Sequence, residues 1–361
     1  SFKIYNAIFD SKHCIYWVYY TRNKFDMNKF SKFCHELSSF SDIKPSIFLS
    51  PASGYRARCE FGFSNSSYTM IEDGKKIFME VSKIPHHSIQ TIMPKLLKHI
   101  NKSSILKSKL FQINFRSSGS NVLATMIYHK ELMNEWSIEA KVIQAKFKNL
   151  SIIGRSKNQK ITNDKENLKI ICKYKNSSFE ILQNDVVFFQ PNFYLYSMMI
   201  SFIANYLKDS KDLLELYCGC GGFTLPLASK FNKVFATENN RHAVKLLLES
   251  IELNGITNIK TARLSDNETA LALSNKRIFR RLKNIDLTSY NFSHILVDPP
   301  RAGLSKETVN LSNQFKNMVY ISCNPETFFR DLKIMKREVK SIGLFDQFSN
   351  TDHLEVIAVL K

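Results

Sequence analysis

Asp212-Leu213-Leu214-Glu215-Leu216-Tyr217-Cys218-Gly219-Cys220-Gly221-Gly222-Phe223 reads as a strand that runs directly into a glycine-rich turn and then a helix. Glycines at the end of a strand let backbone approach a ligand closely at the carboxyl edge of a sheet. Outward from this stretch, a helix over Phe223–Ser229 leads to a second strand, Lys233–Thr237, and a second helix, Arg241–Asn254. Tyr194–Leu207 is helical, and His294–Val297 and Met318–Ser322 are further strands. Strands alternating with helices predict an α/β fold with a mostly parallel, doubly wound sheet. The final apolar run, Leu354–Leu360, is expected to pair antiparallel with Gly343–Phe348 at an edge.

The first half reads differently. Residues 1–50 are irregular, with one helix over Met27–Leu37. Short alternating runs follow at Ala57–Phe63, Phe111–Phe115, Val122–Tyr128, Ser151–Gly154 and Lys169–Tyr174. Helical patterns over Ser88–Ile100 and Asn134–Phe147 interrupt them, and polar Asn158–Leu168 reads as a surface loop. This mixture predicts an α+β module with an antiparallel sheet. A chain of 361 residues suggests two domains, which we place at 1–180 and 181–361.

Charge separates the same halves. Of the net +19, residues 1–180 hold +15, from 29 Lys+Arg against 14 Asp+Glu, and residues 181–361 only +4. A basic half joined to a near-neutral one marks a polyanion-binding module, nucleic acid first. A membrane surface is the weaker choice, because no basic amphipathic helix stands out. No apolar stretch approaches the ~18–20 residues of a membrane span. The seven cysteines are odd in number and scattered, without a C-x2-C pair, which predicts a reducing cytoplasmic setting and no zinc ribbon.

Four further segments carry chemistry. Val319-Tyr320-Ile321-Ser322-Cys323-Asn324-Pro325 places a cysteine between a strand end and a helix start, with Asn324 as cap and Pro325 at the first helical position. The helix dipole favours its thiolate there by about 0.3–1 kcal/mol. Glu238 ends the second strand, where an acid can accept hydrogen bonds from both hydroxyls of a ribose. With it, Glu215, Gly219 and Gly221 match the E-x-x-x-G-x-G pattern of class I S-adenosylmethionine methyltransferases. Asp298-Pro299-Pro300-Arg301 is a stiff turn that fixes the Asp298 side chain at the crevice. Arg301 stands where amino-directed nucleic-acid methyltransferases carry a stacking aromatic, which argues against that chemistry. Asp352-His353-Leu354-Glu355 and Phe188-Phe189-Gln190-Pro191-Asn192 complete the set.

Together these motifs resemble the RNA uracil-C5 methyltransferase family, most closely the bacterial tRNA (uracil-5-)-methyltransferases that make ribothymidine in the T-loop. The similarity extends to Tyr55-Arg56-Ala57-Arg58-Cys59-Glu60-Phe61, Lys109–Ile113, Tyr128–Leu132 and Leu344–Phe348, and covers the chain from about residue 45. It implies a class I methyltransferase domain preceded by an α+β RNA-binding domain. It implies Cys323 as the nucleophile that adds to carbon 6 of uracil, making carbon 5 nucleophilic. Glu355 is then the base that removes the carbon 5 proton, and Asp298 binds cofactor or orients the base. Gln190, Tyr217, Gly222, Glu238 and Asp298 are implied contacts of S-adenosylmethionine, with no metal and no iron–sulfur cluster. Arg56, Arg58, Phe111, His129 and Lys130 are candidates for gripping and stacking RNA. The implied partner is the tRNA T-arm, together with other RNAs bearing a T-like loop; no membrane and no obligate protein partner are expected. Alternatives are a ribosomal-RNA uridine methyltransferase and a non-catalytic tRNA-folding chaperone. Tyr196, Cys220 and Gly222 stand where relatives carry Asn, and Val356 where they carry Cys.

Overall fold

Asp212–Leu216 lies in the interior of a ten-stranded sheet, parallel to Lys233–Thr237 on one side and Phe292–Val297 on the other. All five of its residues are buried, as suits a strand covered on both faces. The Asp212 carboxylate accepts from the backbone of Lys233 (3.0 Å) and Asn291 (2.7 Å), which pins the start of this strand to its neighbours. Ile259–Ala262 and Asn317–Ser322 extend the parallel arrangement outward. The computed structural model describes residues 8–10, 14–17, 28–163, 166–349 and 351–361, the first two stretches as backbone only.

The antiparallel ending differs from expectation in one respect. Glu355–Leu360 is not at an edge but between Asn317–Ser322 and Val339–Phe345, antiparallel to both. Ser46–Phe48 then pairs parallel with Val339–Phe345, and Cys14–Trp17 and Ile8–Asp10 complete that side. One face of the sheet is covered by Phe193–Tyr206 and Arg241–Leu253. The other is covered by Asn28–Leu37 and Pro325–Met335, where Phe33 meets the rings of Phe329 at 4.8 Å and Phe328 at 5.8 Å.

A second sheet of seven strands runs in the order Gln159–Thr162, Leu150–Ser156, Val122–Tyr128, Leu110–Ser117, Arg58–Ser64, Ser67–Glu72, Lys75–Met79. It is antiparallel except where Val122–Tyr128 and Leu150–Ser156 pair in parallel across the helix Asn134–Gln144. Trp136 of that helix packs so tightly on Gly154 that a β-carbon there would sit 2.5 Å from the indole. The expected loop Asn158–Leu168 in fact contains the edge strand Gln159–Thr162. Its polar residues suit an edge, which needs only one apolar face.

Sheet membership crosses the boundary expected at residue 180. Ser46–Phe48 belongs to the large sheet, and the hairpin Leu168–Tyr174/Ser177–Gln183 rests on the helix Arg241–Leu253. There the Leu182 amide donates to Ser250 Oγ (3.0 Å), and the Glu180 backbone exchanges bonds of 2.9 and 2.7 Å with the Asn254 amide side chain. No helix among the described residues is long and apolar enough to cross a membrane.

Candidate active site at the carboxyl edge of the sheet

Strand register alone assembles the site. Tyr217, Glu238, Asp298 and Cys323 each follow the last residue of a parallel strand, so all four emerge at one edge. Glu355 begins an antiparallel strand and arrives at the same edge from the opposite direction. Ser322 pairs with Val356, which makes Cys323 and Glu355 cross-strand neighbours.

The glycine-rich turn forms one wall. Tyr217, Gly219 and Gly221 all take positive φ, at 59°, 55° and 92°. A β-carbon on Gly219 would meet nothing within 4 Å, so open space lies in front of this backbone. Glu238 is locked: its carboxylate accepts from the amides of Gly219 (3.0 Å) and Asn240 (2.7 Å), with lone pairs left for further donors. Buried beneath the turn, the Glu215 carboxyl has one oxygen without a partner, and burial pushes it up to about 8. Burial, then the neighbouring Glu238 charge, pushes Asp298 up to about 7. A crevice with an anchored ribose acceptor, open backbone and crowded acids fits S-adenosylmethionine, whose sulfonium and amino groups are cationic. Gln190 is buried behind the turn and accepts from Gln347 Nε2 at 3.2 Å. The Tyr196 hydroxyl donates to the Gly222 carbonyl. A β-carbon on Gly222 would lie 3.5 Å from that hydroxyl, so Tyr196 and Gly222 are packed side by side.

Cys323 caps the strand as expected, and the Asn324 side chain accepts from the Glu326 amide at 3.1 Å. Its protonation differs from the sequence expectation. Burial first, then Glu355 and Asp298, push the thiol up to about 11, with Arg301 acting in the opposite sense. One pKa unit corresponds to about 1.4 kcal/mol, so two carboxyls and burial outweigh the helix dipole. Glu355 itself is held well above the usual carboxylate range by burial and by Asp298. The turn after Asp298 is laced to the Cys323 helix: the Arg301 carbonyl accepts from Asn324 Nδ2 and Thr327 Oγ1, both at 3.2 Å.

A cavity of about 440 Å³ opens onto Cys323, walled by Arg301, Asn324 and His353 and also by Lys29, Lys32 and Phe33 of the N-terminal helix. That wall was not foreseen, because a lysine on an amphipathic helix reads as a solvated face. Asp266 was also missed. Although burial opposes it, hydrogen bonds from Ser305, Thr308 and Tyr217 hold this carboxyl below its usual range beside the turn.

The RNA candidates are spread over the small sheet and its junction. Arg56 bridges Pro85 and Asn192 through its backbone, and its guanidinium lies 5.0 Å from the Phe348 ring centre. Arg58 is tied to Glu60 at 2.7 Å. Phe111 is 49% exposed and meets His129 edge-on at 4.4 Å. Lys130 folds back to donate to the Ile105 carbonyl at 3.0 Å.

The sequence matches a family model described as tRNA (Uracil-5-)-methyltransferase over residues 22–361. The tRNA/tmRNA (uracil-C(5))-methyltransferase of Campylobacter concisus is 40% identical over 332 residues, covering 90% of each chain. The protein of that name from Nitratiruptor sp. is 42% identical over 328 residues, covering 89% of this chain and 91% of its own. Among solved structures, Pyrococcus abyssi tRNA (uracil-54, C5)-methyltransferase in complex with S-adenosyl-L-homocysteine superposes with a TM-score of 0.71 at 21% identity, over 92% of this chain and 82% of that one.

Proposed function

The chain belongs to the tRNA (uracil-5-)-methyltransferase family, and from that premise we propose that it methylates carbon 5 of the T-loop uridine of tRNA through a covalent Cys323 adduct. It is an S-adenosylmethionine-dependent enzyme with a class I methyltransferase fold. Bound S-adenosylmethionine supplies an electrophilic methyl carbon. Glu238 and the open turn at Gly219 would hold its ribose end, with Tyr217, Gln190, Asp298 and the Gly222 backbone around the rest.

The chain's own residues do the remainder. The Cys323 thiol gives up its proton to water in the open cavity, its thiolate forms a sulfur–carbon bond at carbon 6 of the uracil, and the displaced π electrons make carbon 5 an enolate nucleophile. Once carbon 5 carries the methyl group, Glu355 takes its remaining ring proton. That electron pair re-forms the 5,6 double bond and expels the Cys323 sulfur. A carboxylate made unusually basic by burial and by Asp298 suits this role. The observation that carries the reading is the register that sets Cys323 beside Glu355 at the edge holding Glu238.

The target base sits in a folded loop, so it must be extruded into the cavity at Cys323 at a cost of a few kcal/mol. We assign the basic sheet, with Arg56, Arg58, Phe111, His129 and Lys130, to holding the T-arm, and extend the substrate class to other RNAs with a T-like loop. Tritium release from a T-arm transcript carrying 5-tritiated uridine tests the reading. Wild type should release label and Cys323→Ala should not; bound RNA without release would favour a folding chaperone.

A further inference from the structure

We propose that Lys29 is a positioning residue for this reaction: it holds the loop that delivers Glu355. The inference rests on the assignment of Glu355 as base and adds a residue that lies outside both catalytic motifs. Val339–Phe345 and Glu355–Leu360 are adjacent antiparallel strands joined by residues 346–354, so the placement of Glu355 depends on that connection. Among its described residues the loop's own backbone bonds run from Gln347 to Phe345 and from Thr351 to Phe348.

One ammonium supplies much of the order. Lys29 Nζ lies within hydrogen-bond distance of four acceptors that share its three N–H donors: the carbonyls of Phe348 (3.3 Å), Thr351 (2.8 Å) and His353 (3.1 Å), and Asp346 Oδ1 at 2.6 Å. The pair is enclosed, with side chains 7% and 2% exposed, so it is not a loose surface contact. Its anchor is firm. Lys29 sits on the helix Asn28–Leu37, whose Phe33 is wedged against Phe328 and Phe329 of the helix that follows Cys323. The helix that carries Lys29 therefore joins the nucleophile's helix to the segment that ends in the base.

The same loop takes ties from elsewhere. Tyr55 donates to the Ser349 carbonyl at 3.3 Å, Arg56 covers Phe348, and Gln347 reaches Gln190. Removing Lys29 leaves these in place. Cofactor binding should then survive, while the step that needs a well-aimed carboxylate slows.

Lys29→Met alone takes a close cation from the buried Asp346 carboxylate, which is destabilising in its own right. The informative variant is therefore Lys29→Met with Asp346→Asn, which removes both charges together. With a T-arm transcript and S-adenosylmethionine, we expect kcat to fall about ten- to a hundredfold, the range for a misplaced catalytic group. KM for S-adenosylmethionine should stay within about twofold of wild type, as for a change that spares the cofactor site. A denaturant-resistant protein–RNA adduct should accumulate, since the base acts after bond formation. Lys29→Arg, whose planar, bulkier fork does not match acceptors that converge on a single ammonium nitrogen, is the variant to use if the double change does not fold, with the same partition expected. Wild-type kcat with no adduct in a folded variant would overturn the proposal. Failure of wild type itself to turn over would instead count against Glu355 and Cys323.

Discussion

Cys323 lies one residue beyond the Ser322–Val356 pair and Glu355 one residue before it, so the thiol and the carboxyl meet where a parallel strand adjoins an antiparallel one. Burial first, and then this carboxyl, push the thiol up to about 11 in the free protein. Alkylation of Cys323 by iodoacetamide, corrected with Cys323→Ser, should still be rising at pH 10, well above the ~8.5 of an ordinary thiol. Glu355→Gln removes a negative neighbour and should move that profile to lower pH. An unmoved profile would separate the two side chains.

Asp298 predicts a stability effect of definite sign. Its folded pKa is raised from 3.8 to about 7 by burial and by Glu238, so the folded state binds its proton more tightly than the unfolded chain does. That contribution is fully present below about pH 4 and is lost as pH rises toward 7. Asp298→Asn should therefore stabilise the ligand-free protein at pH 8, by about 1–2 kcal/mol after allowance for screening, and have no such effect at pH 4. Thermal unfolding at the two pH values checks it.

The parts of the fold legible in the sequence were those encoded locally. Leu213, Leu214 and Leu216 before three glycines identify a buried strand and its turn, and Asn324-Pro325 identifies a helix start. What escaped was non-local or polar. Ser46–Phe48 is three residues long and takes its meaning from a strand nearly 300 residues away. Gln159–Thr162 is polar because it lies at an edge. At the site, Cys323 and Glu355 were visible as motif residues. Lys29 was not, and Asp346 appeared only within the matching stretch Leu344–Phe348 with no role, because an ion pair spanning 317 positions leaves no local pattern.

Tyr196 and Gly222 should behave as one unit. The Tyr196 hydroxyl occupies the space beside Gly222 and bonds its carbonyl, so Gly222→Asn alone crowds a buried ring. Tyr196→Asn alone leaves a void among Phe189 and Phe223. Each single change should weaken S-adenosylmethionine binding in calorimetry. The double change should recover much of the loss, with a coupling energy of roughly 0.5–3 kcal/mol. Additive losses would show that the two positions are independent.

Gly303 holds the turn after Asp298 against the Cys323 helix. Its φ is +75°, and a β-carbon would lie 2.6 Å from both Arg330 Nη2 and Asp331 Oδ2. Asp331 is engaged by the Leu304 amide at 2.8 Å and Tyr320 Oη at 2.7 Å, so it has little freedom to yield. Gly303→Ala should cost about 1–3 kcal/mol in denaturant unfolding, from the backbone conformation and the contact together.

Arg56 and Arg58 are two residues apart but are not equivalent toward RNA. Arg58 shares its charge with Glu60 at 2.7 Å, and both side chains are well exposed. Binding a phosphate would require breaking or sharing that pair. Among the described residues Arg56 forms no ion pair with an acid and its Nε has no hydrogen-bond acceptor; it lies over Phe348, and its backbone joins the small sheet to Asn192 beside the catalytic crevice. It can take a phosphate without surrendering another contact. T-arm affinity measured across a salt series should fall steeply for wild type, and Arg56→Gln should reduce the log–log slope by about 1, the signature of one lost phosphate contact. Arg58→Gln should reduce it by clearly less. Equal slopes for both variants would show that the Glu60 pair does not govern which arginine meets the RNA backbone.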